Sequence, residues 1–135
     1  MILYTPIGFT VDKTRNDGLK RKAIFDNKLR IIQQASKQGD EYFIIKDLDI
    51  IYGYGIKEME IFLNDNPDYG AVALWPHSGP IEHSFHVSTS FMMIRRDSVY
   101  NLEMTFKKGC FCHNFCDVLR SRDFKVKYIE GKILH

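Results

Sequence analysis

Short apolar runs and helical stripes alternate along the chain, and their spacing predicts an order of elements. Ile2 to Tyr4 reads as a short strand that stops at Pro6 and Gly8. Asn16 or Asp17 caps a helix that continues to about Lys37, with Gly39 just past its end. Within it Ile24, Leu29, Ile32 and Ala35 recur near helical spacing, Phe25 and Ile31 widen the stripe, and Lys28 is expected to turn outward. Tyr42-Phe43-Ile44-Ile45 is a continuous apolar run of strand length, the mark of a central strand covered on both faces. A second helix fits from about Ile56 to Asn64, with Met59, Phe62 and Leu63 inward, and Asn66-Pro67-Asp68 breaks it. Ala71 to Trp75 and Thr89 to Ile94 read as strands, residues 111–121 as helical, and Lys125 to Ile129 as the last strand. Strand, helix and strand over residues 42–75 imply a parallel βαβ unit with a right-handed crossover, so the class is α/β.

At 135 residues the chain is about one domain long, with no repeat or low-complexity linker to divide it. Its 44% hydrophobic and 27% charged residues suit a folded domain that needs no disulfide or metal to hold it together. No apolar run nears the roughly 18 residues of a membrane span, and the first residues lack the charged-then-apolar order of a signal peptide. A cytoplasmic protein is expected.

The net charge of +2 says little, but its distribution is uneven. Residues 1–46 carry nine Lys/Arg against five Asp/Glu, residues 47–70 one against six, and residues 71–135 nine against six. An acidic centre between basic flanks suits a divalent cation and the anion it bridges, although chance clustering of surface charge gives the same picture. Without long basic blocks, nucleic acid is not an expected partner. Cys110, Cys112, His113 and Cys116 tempt a zinc reading, but four ligands within seven residues rarely close a tetrahedron, and no second cysteine pair exists. On a helix Cys112 and Cys116 share a face, so reduced, mostly buried thiols are expected.

The residues richest in chemistry are Asp47 and Asp49, directly after the buried strand in IIKDLDII. In an extended chain residues i and i+2 point the same way, so both carboxylates can face one spot. Open α/β sheets bind ligands beyond the carboxyl ends of their strands, and hard oxygen ligands suit Mn2+ or Mg2+. Taken alone, the pair is a weak signal, and a solvated turn after a strand is the commoner setting for it.

The segment Arg15-Asn16-Asp17-Gly18-Leu19, a helix, and then Asp40 to Asp49 resembles a stretch of GT-A-fold nucleotide-sugar glycosyltransferases, which carry an Arg-Asn-x-Gly-Leu segment before a strand ending in a "DxD" motif. Asn64 to Tyr69, Ser90 to Arg96 and Leu119 to Tyr128 are similar to later passages of the family, and His135 stands where members place a late metal-binding histidine. The resemblance implies a single three-layer domain over 1–135 with a mostly parallel central sheet. Only 46 residues precede Asp47, fewer than in the family, which implies a reduced base- and ribose-binding half. Phe111 to Asn114 replace the family's Glu-Asp pair, and Asp117 lies several residues on.

What the resemblance implies is a metal-dependent glycosyltransferase that moves a sugar from a nucleoside diphosphate sugar donor to a glycan, lipid or protein acceptor. Asp49 ligates Mn2+ or Mg2+, Asp47 contacts the ribose or the metal, and His135 completes the coordination. Arg15 and Asn16 join Asp47 in holding the donor, Arg15 near a phosphate at the helix start. Asp117 or Glu82 serves as the general base of an inverting transfer, a demand that a retaining mechanism relaxes. The loop from Trp75 to Val87 is a candidate acceptor wall, with Trp75 either stacking on a sugar or packing in the core. Three rivals stand beside this reading: a non-catalytic protein that binds nucleotide sugars or glycans, a metal-dependent nuclease, and a zinc-binding interaction protein built on residues 110–116.

Overall fold

The computed structural model describes residues 2–4, 17–75, 79–81, 87–107 and 109–134. In chain order the elements are β1 (Ile2–Tyr4), α1 (Asp17–Ser36), β2 (Tyr42–Lys46), β3 (Tyr52–Tyr54), α2 (Ile56–Asp65), β4 (Tyr69–Leu74), β5 (Phe91–Arg95), α3 (Phe111–Ser121), β6 (Lys125–Ile129) and β7 (Lys132–Leu134), with a 3-10 turn at Arg96–Val99.

Two apolar runs decide the middle of the sheet. Tyr42 to Ile45 and Phe91 to Ile94 are buried throughout, and a strand buried on both faces must lie inside a sheet. The five strands are ordered β1-β2-β5-β4-β6. β1 is parallel to β2 and β6 to β4, but β5 runs antiparallel to both of its neighbours.

This corrects the expected fold. The domain is not a mostly parallel GT-A-like three-layer structure, because half of the pairings in its main sheet are antiparallel. The expected βαβ unit is split as well: β2 and β4 point the same way, but β5 lies between them. The cause is the Phe91-Met92-Met93-Ile94 run, whose four fully covered side chains claim the centre of the sheet.

Alternation along each strand feeds two cores. Phe43, Ile45, Ala71, Ala73, Met92 and Ile94 face α1 and α3, where they meet Phe25, Ile32, Phe115 and Leu119. Tyr42, Ile44, Val72, Leu74, Phe91 and Met93 face the other way, against Met59 and Leu63 of α2. Arg95 locks α2 in place. Its guanidinium donates to the carbonyls of Leu63, Asn66 and Tyr69 and lies over the Tyr42 ring, so it satisfies backbone acceptors that a helix end leaves open.

The phase of α1 differs from the expected one. Phe25, Ile31, Ile32 and Ala35 are buried, Ile24 and Leu29 only partly so, and Lys28 points inward with 7% of its surface exposed. A small second sheet pairs β3 with β7 beside the main one. Gly53 lets it approach: a Cβ there would sit 2.7 Å from the Phe91 ring. No helix among the described residues is long and apolar enough to cross a membrane.

Candidate functional site

The acidic pair follows the carboxyl end of β2, an interior strand, but not as an extended segment. The Ile50 N–H donates to the Asp47 carbonyl (3.1 Å), and Lys46 Nζ donates to the Ile50 carbonyl (2.9 Å). Residues 47–50 thus form a turn with Leu48 and Asp49 at its tip. Ile50 is the cause: it is buried in the core under α2 and pulls the chain back. The two carboxylates therefore do not share one face of a strand. Asp49 is exposed, whereas Asp47 folds back toward the sheet.

Asp47 meets a polar floor built by three elements. Its Oδ1 lies 3.0 Å from Lys28 Nζ of α1, and that ammonium donates to Thr89 Oγ1 at 2.8 Å. The Asp47 N–H donates to the Ser90 carbonyl at 2.9 Å. Thr89 in turn touches α3: its N–H donates to Cys112 Sγ at 3.4 Å, and its hydroxyl oxygen lies 3.3 Å from the same sulfur. A buried ammonium needs a counter-charge and further hydrogen bonds, and Asp47 and Thr89 supply both.

The surroundings are tightly tied. The Ser88 N–H donates to the Tyr128 hydroxyl (2.7 Å), and the Ser88 and Ser90 hydroxyls pair at 2.8 Å. Burial pushes the Tyr128 phenol above its ordinary value, and the three nearby cysteines add to the effect. Trp75 packs edge-on against the Tyr128 ring, with centroids 4.9 Å apart. Cys112 and Cys116 do share the inner side of α3. Burial raises the Cys116 thiol to about 11, only partly offset by the Val87 backbone, so it is a poor nucleophile near neutrality.

Asp117 occupies the outward side of α3. His113 Nε2 and Arg120 lie 3.3 Å from its two oxygens, and it helps to line a cleft of about 410 Å³ with Met104, Lys107 and Asn114. Arg15, Asn16, Glu82 and His135 lie outside the described residues. Among the described residues no group of three or more His, Cys, Asp and Glu side chains is placed to hold a metal ion. No protein-family model matches the chain, and no curated protein matches it.

The residues that pattern reading missed are Lys28, Thr89 and Tyr128. Lys28 had a signal. It stands three residues after Phe25 and four before Ile32, inside the apolar stripe, where an isolated ammonium would be costly.

Proposed function

We propose that the protein is a metal-dependent glycosyltransferase, moving a sugar from a nucleoside diphosphate donor to an acceptor hydroxyl. One observation carries the reading: an exposed carboxylate, Asp49, and an anchored one, Asp47, lie on the same turn past the carboxyl end of a buried interior strand. The donor set fits Mn2+ or Mg2+, which need one or two carboxylates when phosphate oxygens and water fill the remaining positions. Asp49 is the direct ligand. Asp47, engaged by Lys28, orients the turn and presents its second oxygen. A bound divalent ion would neutralise the diphosphate as it departs.

In the transfer, the bond from the anomeric carbon to the diphosphate oxygen breaks, with its electron pair leaving on the diphosphate. A new bond forms to the acceptor oxygen, whose proton passes to a base. Asp117 and Glu82 are the candidates for that base. Binding without transfer is favoured by the engagement of Asp117 with both His113 and Arg120. Donor turnover with and without acceptor separates the two readings.

The test is thermal unfolding with a panel of nucleoside diphosphate sugars in Mn2+, Mg2+ or chelator. A ligand at a hundred times its Kd should add about 2.7 kcal/mol of stability. Stabilisation that needs metal and vanishes in Asp49→Asn supports the proposal. Stabilisation by no sugar nucleotide, or by one indifferent to both metal and Asp49, overturns it.

A further inference from the structure

A second cleft, of about 1120 Å³, opens where the end of α1 meets the 3-10 turn that follows β5. Tyr42 pairs with Arg95, so this is the end of the sheet away from Asp47 and Asp49. The backbone beneath it is braced from three sides. Arg122, just past α3, donates to the carbonyls of Ser98, Tyr100 and Asn101, Gln33 of α1 donates to that of Leu102, and Arg96 to that of Gln38. These bonds hold residues 98–102 in a tight turn, with Asn101 in the left-handed region at φ 49°. The Tyr100 ring is left 70% exposed at the rim. A ring on a backbone already fixed offers amphipathic contact area with little further loss of conformational freedom.

The lining charges cancel, with Lys37 and Arg96 set against Asp97 and Glu103. Without a net field the cleft has little to draw a phosphate, a nucleic acid or a cation. What it presents is a mixture of donors and acceptors, the Gln38 and Asn101 amides among them, beside one aromatic ring. A purely apolar ligand would strip those groups of water without replacing their bonds. A sugar ring matches both features, because its C–H face is apolar and each hydroxyl on its rim both donates and accepts. Drug-sized ligands fill about 300–1,000 Å³, so a cleft of this size takes more than one ring. We propose that it binds a neutral oligosaccharide, with Tyr100 stacked beneath one ring and Gln38, Asn101 and Glu103 bonded to hydroxyls. The site stands apart from the acidic turn and needs no metal, so it anchors a glycan and does not transform it.

The experiment is amide proton–nitrogen NMR of the whole chain in chelator, titrated with maltotriose, cellotriose, triacetylchitotriose and, as a charged control, inorganic pyrophosphate. At least one trisaccharide should shift the amides of residues 33–38 and 96–103, with a Kd of about 1 mM. Tyr100→Ala removes the stacking face and should weaken that binding about tenfold, whereas Tyr100→Phe keeps the ring and should stay within about twofold. Asn101→Gly keeps the left-handed turn and removes the amide, and should cost about threefold to tenfold. Thermal midpoints of all three variants should match the parent, an outcome that separates a ligand contact from a structural one. Asp49→Asn should bind the trisaccharide like the parent, so the result stands or falls apart from glycosyl transfer. No shift with any trisaccharide, shifts centred on residues 47–50, or a stronger response to pyrophosphate overturns the proposal. So does parent-like binding by both Tyr100→Ala and Asn101→Gly, or loss of folding in both.

Discussion

Lys28 Nζ and Asp47 Oδ1 lie 3.0 Å apart, joining the middle of α1 to the turn that carries the acidic pair. The ammonium is buried and the carboxylate keeps some contact with water, so the loss of either partner has unequal effects. Asp47→Ala strands a charge inside the protein and should cost about 2–3 kcal/mol, below the usual range for a fully buried pair because Asp47 is partly solvated. Asp49→Ala, at an exposed turn tip, should stay within about 0.5 kcal/mol of the parent. Urea unfolding of both variants checks this; equal losses would show that the turn depends on both carboxylates.

Arg95→Met should be among the most destabilising changes on the far side of the sheet. It leaves the carbonyls of Leu63, Asn66 and Tyr69 without their guanidinium partner and removes the cation from the Tyr42 ring. A loss of about 2–4 kcal/mol is expected from unmade hydrogen bonds to a charged donor. Hydrogen exchange should show the last turn of α2 opening first.

Gly53→Ala tests the seating of the small sheet. The new methyl meets the Phe91 ring at 2.7 Å, and that ring is packed in the core. Overpacking of this kind costs about 1–3 kcal/mol. Phe91→Leu in the same chain should recover part of the loss, and a double-mutant cycle measures how much.

How far the sequence could be read depends on the length of each element. The long helices and the apolar runs at Tyr42–Ile45 and Ala71–Leu74 announced themselves, and α3 spans the expected 111–121. The three-residue strands β3 and β7 are too short for any period to show, and Tyr-Gly-Tyr looks like a turn. Strand order was misread, because the spacing of residues 42–75 fits a parallel crossover whether or not another strand later inserts between the two. The placing of Asp47 and Asp49 past a buried strand was visible. The turn that separates them depends on the burial of Ile50, and the floor beneath Asp47 joins residues 28, 47, 89 and 112, contacts no local pattern contains.

Stability should fall as pH rises from about 9 to 11. The Cys116 thiol is held at about 11 by burial against an ordinary 9.0, so the unfolded chain gives up this proton first. The folded state then binds more protons than the unfolded one, and alkali favours unfolding, by up to about 2–3 kcal/mol from this group. Tyr42 and Tyr128, both raised by burial, shift in the same direction. Cys116→Ala should flatten the profile between pH 9 and 11 in chemical denaturation.

Alkylation at pH 8 should sort the thiols by depth. Cys110 and Cys112 are partly exposed and should react with iodoacetamide in the native state, whereas buried Cys116 should react only after unfolding. Peptide mass mapping reads each site separately. Native labelling of Cys116 at the rate of Cys110 would contradict its burial.

The position of β5 also sets a timetable for synthesis. The strand at the heart of the sheet is made after both strands it joins, so β2 and β4 leave the ribosome with the place between them empty. At roughly 5–20 residues per second, the nascent chain leaves the inner edges of β2 and β4 without their strand partner for a few seconds before Phe91 to Ile94 can pair with both. Arrested chains ending between β4 and β5 should therefore be the ones that chaperones hold, and release should coincide with the emergence of Arg95.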